Sequence, residues 1–124
     1  MGLNESSDLE TVFAELRKIL SPYAKRLALT TDNDTRYYLD SKVPGPKGKT
    51  MFFGAAMVKT KFVSFHLMPV YVNPELLEDM SPELRKRMQG KSCFNFKTRD
   101  PELFRELKAL VKSSFELWKK DKRV

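Results

Sequence analysis

The residues of this chain that could do chemistry are few, and their types favour holding an anion over transforming a substrate. His66 and Cys93 are the only histidine and the only cysteine. They would form a nucleophilic pair only on neighbouring strands, with a third group to orient the imidazole and a depressed thiol pKa. The sequence shows neither of those last two requirements, so a structural histidine and an inert, half-buried thiol are expected. One His and one Cys, with no Cys-x-x-Cys or His-x-x-x-His spacing, cannot furnish a zinc site from nitrogen and sulfur. No metal and no cofactor is expected. Asp32 with Asp34, and Glu75 with Glu78 and Asp79, cluster carboxylates where turns and helix starts already favour acids. Gly45 and Gly48 lack the spacing and the following helix of a phosphate-binding loop.

The most specified stretch runs from Ser81 to Lys97. Ser81 can cap a helix, Pro82 suits its first position, and Gly90 can end it in the left-handed conformation. That turn would bring a helix end and a strand start together, which makes Arg85, Arg87, Lys91 and Lys97 the candidate anion-binding residues. In the strand, Phe94 and Phe96 alternate with Cys93, Asn95 and Lys97, so one face is aromatic and the other polar. Phenylalanines flanked by lysines are similar to the stacking strand of RNA-recognition modules. Those modules also need a second aromatic strand near their start, and alternating Phe in a sheet is expected to be core.

At 124 residues the chain has room for one domain, 1–124, with a single core. A hydrophobic fraction of 41% is that of an ordinary globular protein. The net charge is +7, from 23 Lys and Arg against 16 Asp and Glu. It is unevenly spread. The stretch from Ser41 to Lys61 holds Lys42, Lys47, Lys49, Lys59 and Lys61 and no acid, and Lys119 to Val124 forms a basic tail. Such runs favour anionic partners. The first apolar stretch is interrupted by Glu15, Arg17 and Lys18, unlike a signal peptide, and no segment approaches the length of a membrane span. With its lone cysteine, the chain is expected in the cytoplasm, without a membrane partner.

The elements that must position these residues can be read from periodicity. Ser7 and Glu10 form a capping box ahead of Leu9, Val12, Phe13, Leu16, Ile19 and Leu20, which recur at helical spacing until Pro22. Leu27 to Thr31 and Thr35 to Leu39 read as a hairpin around Asp32-Asn33-Asp34. Ser41 to Lys49, with its prolines and glycines, reads as the longest loop. Thr50 to Val58 and Lys61 to Val70 are the richest strand candidates. Asn73-Pro74-Glu75, Ser81-Pro82-Glu83 and Asp100-Pro101-Glu102 each place a capping side chain, a proline and an acid as a helix start. The last helix carries Leu103, Phe104, Leu107, Leu110, Val111, Phe115 and Trp118 on one stripe, and the charged tail after it reads as disordered. The order predicts an α+β fold: a single curved, mainly antiparallel sheet of about five strands with the N- and C-terminal helices packed on one face.

On the hairpin from Met51-Phe52-Phe53-Gly54 to Val63-Ser64-Phe65-His66, the strand Lys91-Ser92-Cys93-Phe94-Asn95-Phe96 and the helix from Asp100, the chain resembles the YdhG-like family of small bacterial domains. Ser114-Phe115-Glu116-Leu117 is similar to the terminal helix of YjbR-like domains. Both resemblances imply the same architecture. The YdhG-like one further implies a frataxin-like iron chaperone, for which the first helix offers only Asp8, Glu10 and Glu15 as exposed carboxylates.

The sequence therefore points away from an enzyme and towards a binding domain for an anionic small molecule or an acidic protein. Non-specific nucleic-acid binding by the Lys-rich loop and tail is the alternative, and a His66–Cys93 enzyme comes third.

Overall fold

The computed structural model describes residues 5–45 and 48–124. Pro46 and Lys47 of the expected loop, and the side chain of the expected cap Ser7, lie outside the described part. Helix α1 (Glu5–Leu20) is followed by a 3-10 turn, Ser21–Tyr23, at the proline that ends it. Then come β1 (Ala28–Asp32), β2 (Arg36–Pro44), β3 (Thr50–Val58), β4 (Val63–Leu67), α2 (Met68–Val72) and a second 3-10 turn, Pro74–Leu77. The chain ends with α3 (Pro82–Arg85), β5 (Met88–Gln89), β6 (Cys93–Phe96) and α4 (Pro101–Lys120). The fold is α+β: one open sheet in the order β1-β2-β3-β4-β6-β5, antiparallel at every junction. Its sixth strand is the two-residue β5, too short to leave a periodic signal.

Helix starts follow the sequence grammar at two of three places. Ser81 Oγ accepts from the Leu84 amide at 3.1 Å, and Asp100 Oδ1 accepts from the Leu103 amide at 3.2 Å. Asn73 makes no such cap, and its turn stays 3-10. In the β1–β2 turn, Asn33 Oδ1 accepts from the amides of Thr35 at 3.0 Å and Arg36 at 2.9 Å, an Asx turn.

Several boundaries move. α3 stops at Arg85 instead of running to a left-handed cap at Gly90, because the chain leaves the helix to form β5 and Gly90 turns the β5–β6 hairpin instead. β4 stops at Leu67 instead of Val70, because Pro69 has no amide for a ladder and starts a helical turn. β2 runs on to Pro44, into the stretch read as loop, because Ser41 is buried there. Its hydroxyl accepts from the Val43 amide at 3.0 Å and donates to the Arg123 carbonyl.

That last bond corrects the reading of a disordered tail. The Arg123 amide donates to the Trp118 carbonyl at 2.7 Å and the Lys122 amide to the Lys119 carbonyl at 3.1 Å, with Lys122 at a φ of 60°. This is a Schellman cap with a lysine in the left-handed position that glycine usually fills. The Arg123 guanidinium lies 5.9 Å from the centre of the Trp118 ring and donates to Met51 Sδ at 3.3 Å. The tail is tied to the core.

Alternation sorts the sheet into two faces. Tyr37, Leu39, Val63, Phe65, Leu67, Phe94 and Phe96 join the apolar sides of α1 and α4 in one core. A β-bulge decides where β3 contributes: Leu39 pairs with Gly54, but Asp40 pairs with Phe52. The extra residue, Phe53, turns into the core edge-on to Trp118 at 5.8 Å and Phe115 at 6.1 Å. Phe52 is left on the other face with Arg36, Tyr38 and His66.

Candidate functional site

The β5–β6 hairpin fixes where the predicted cations go. Gly90 has a φ of 81°, which lets the chain reverse so that Met88 pairs with Phe94 and Gln89 with Cys93. The Asn95 amide donates to the Arg87 carbonyl at 2.8 Å, which sets Arg87 beside the strand that ends at Lys97. These two meet Lys61, from the β3–β4 turn, and Lys86 around a groove of about 580 Å³ that Phe62, Met88, Gln89 and Asn95 complete. Arg85 and Lys91 do not join them. Arg85 is still on α3, where its guanidinium donates to the Leu77 carbonyl at 3.3 Å. With Lys91 it borders a separate groove of about 510 Å³ walled by Val70, Tyr71, Pro74, Leu77 and Met88. The turn at Gly90 thus divides the expected cluster, because a tight hairpin brings together the residues paired across it and not those flanking its tip.

The basic groove has a firm base. Ser81, which caps α3, receives support from α4: Glu106 accepts from the Ser81 amide at 2.7 Å and from its hydroxyl at 2.6 Å. On the sheet side, Asn95 Nδ2 donates to Gln89 Oε1 at 2.7 Å. No acid lines the groove. Among the described residues the ion pairs are Arg17–Asp32 and Arg99–Glu15, so none uses the cations of this groove. Lys61 escaped the sequence reading because the β4–β6 pairing that sets it beside Lys97 joins segments far apart in the chain; its only local signal was membership of an acid-free lysine run.

His66 and Cys93 do prove to be neighbours, directly paired between β4 and β6, with Sγ 3.7 Å from Nε2. Their electrostatics oppose nucleophilic use. Burial pushes the Cys93 thiol upward, and the Lys59 charge offsets only part of this. Burial also lowers the His66 pKa, and the charges of Lys59 and Arg36 lower it further. A neutral thiol therefore faces a neutral imidazole, and the thiol donates to Asn95 Oδ1 at 3.5 Å. Native Cys93 is expected to react slowly with iodoacetamide at pH 7 and rapidly in denaturant, at a native rate unchanged in His66→Ala. Fast native labelling that this variant abolished would instead show an activated thiol.

Phe94 and Phe96 are 0% and 1% exposed, so the aromatic strand faces inward as core. The outward aromatic residues are others. Tyr38 and Phe52 sit with ring centres 4.6 Å apart, Phe52 meets the His66 ring edge-on at 6.5 Å, and the Arg36 guanidinium lies 5.1 Å over Tyr38.

A cavity of about 760 Å³ lies between α1 and the β1–β2 and β3–β4 turns. Its charges are mixed and partly used: Arg17 donates to both carboxylate oxygens of Asp32 at 3.1 Å. The Lys-rich loop and the tail meet in another groove, of about 510 Å³, where Arg123 is already engaged by Trp118 and Met51. Among the described residues no three His, Cys, Asp or Glu side chains are grouped as a metal would need, and no described helix is long and apolar enough to cross a membrane. Comparison with protein-family models, curated proteins and solved structures finds no match.

Proposed function

We propose that the protein is a non-enzymatic binding domain for an anionic ligand, and that Lys61, Lys86, Arg87 and Lys97 form its site. The observation that carries this reading is four cations around one groove with no acid lining it. Like charges held close raise the local potential, and an anion that enters relieves their repulsion while gaining charge-assisted hydrogen bonds. A phosphorylated small molecule or an acidic protein segment both fit that chemistry. A cytoplasmic setting belongs to the same reading, on the strength of the single unpaired cysteine. So does a place among YdhG-like domains, on the central hairpin and the strand at Lys91.

The test uses tripolyphosphate as the ligand, titrated by calorimetry at low salt. The Arg87→Ala/Lys97→Ala double variant is expected to bind at least about tenfold more weakly, with stability changed by no more than about 0.5 kcal/mol per exposed site. Arg85→Ala/Lys91→Ala is expected to bind as the parent does. Equal binding by the Arg87/Lys97 variant, or none by the parent, would sink the proposal.

A further inference from the structure

We infer that the ligand of this groove is a single-stranded nucleic acid whose bases stack on the helix-free face of the sheet. The inference rests on the anion-binding reading of the groove and extends it along the strands. Residues that alternate away from the core put Arg36 and Tyr38 of β2, Phe52 of β3, His66 of β4 and Asn95 of β6 on this face. The small Ala55 and Ser64 lie buried between them. The two helices that build the core, α1 and α4, pack on the opposite side.

The rings form a line. Tyr38, Phe52 and His66 follow one another at 4.6 Å and 6.5 Å across three strands, and the line points towards Cys93 and Asn95. Asn95 and Gln89 belong to both regions, since their paired amides lie at the end of the ring line and also line the basic groove. From β2 to β6 is three strand spacings, about 14 Å in all, a span that a few nucleotides cover. Unpaired bases stack on aromatic rings and on guanidinium planes while the backbone tracks positive charge; here the exposed Arg36 and the half-buried Tyr38 and Phe52, packed against one another, form one such cluster for a base to extend. Duplex bases are already stacked on one another and have no use for such a row.

Charge selects this occupant over a second copy of the chain. Arg36 lies on the face, Lys59 acts on both His66 and Cys93, and the groove supplies four more cations. Two such faces, each on a protein of net charge +7, repel one another. Asp40 also lies on this side, with its pKa raised by burial, and it is outnumbered there by these cations.

The experiment measures fluorescence anisotropy of labelled oligo(U) and oligo(dT) twelve-mers, of a duplex of equal length, and competition by tripolyphosphate. Single strands are expected to bind more tightly than duplex at the same salt. Tyr38→Leu and Phe52→Leu are expected to lower single-strand affinity at least about fivefold while leaving tripolyphosphate affinity unchanged, and Arg87→Ala/Lys97→Ala to lower both. Tripolyphosphate binding without oligonucleotide binding would leave the groove reading standing and overturn this inference; binding of neither would overturn both. Equal affinity for duplex, or sheet-face variants that bind like the parent, would also overturn it. So would a dimer that Phe52→Leu dissociates. Should either leucine variant fail to fold, photocrosslinking of the parent protein to 5-iodouridine-substituted oligonucleotide decides the matter. Adducts on the Tyr38 or Phe52 peptides support the inference, and adducts confined elsewhere overturn it.

Discussion

Replacing Phe53 with alanine is expected to destabilise the protein by about 3–5 kcal/mol, the range for emptying an aromatic site in a core. The residue is fully buried and edge-on to Trp118 and Phe115, with Tyr23 6.4 Å away. Neighbours cannot readily collapse into the space. Trp118 is tied to Arg123 at the helix end, and Gly54 alongside is so closely approached that a Cβ there would stand 3.1 Å from the His66 carbonyl oxygen. Urea unfolding is the measurement, with a lower midpoint at unchanged slope as the expected result. Phe52→Ala, on the other face, should cost clearly less. A loss below about 1 kcal/mol for Phe53→Ala would mean that the bulge is free to slip and refill the site.

Glu106→Ala is expected to cost about 2 kcal/mol, because one carboxylate accepts both the amide and the hydroxyl of Ser81 and bonds to charged groups are worth about 1.5–3 kcal/mol each. Its site is half-buried, so water recovers part of the loss. Ser81→Ala removes the α3 cap as well, a further cost of about 1 kcal/mol. The two residues act as a unit, so the double variant should cost less than the two single losses added. The readout is again urea unfolding, joined by tripolyphosphate affinity, since α3 leads directly into Lys86 and Arg87. A Glu106→Ala variant as stable as the parent would show that α3 is held by the Ser81 cap and Leu84 packing without help from α4.

Much of this fold is legible in the sequence because its signals are local. The stripe from Leu103 to Trp118 is one helix face whatever it packs on, and Ser81-Pro82-Glu83 and Asp100-Pro101-Glu102 start helices through bonds that span three residues. What escapes the sequence depends on partners far away in the chain. Phe52 and Phe53 are chemically identical, and only a bulge opposite Leu39 and Asp40 sends one to the core and the other outward. Arg85 and Arg87 are equally basic, yet the β5–β6 pairing leaves one on α3 and takes the other to Lys97 and Lys61. The tail reads as solvated charge until the backbone of Arg123 closes a helix cap and meets Ser41.

An open sheet also ends in two edges, and their form governs how the folded protein behaves when crowded. β5 offers only two residues, too few to seed pairing with another chain. β1 is longer, but its pairing shifts register between Leu29 and Thr31, which bends the strand away from a flat template. The uncharged, proline-free runs Met51 to Val58 and Phe62 to Met68 have the composition that drives cross-β assembly, and the strands they form, β3 and β4, each lie between two partners inside the sheet. Aggregation of this protein is therefore expected to begin with opening of the sheet rather than with contact between native edges, so that resistance to it should track how firmly β3 and β4 are held.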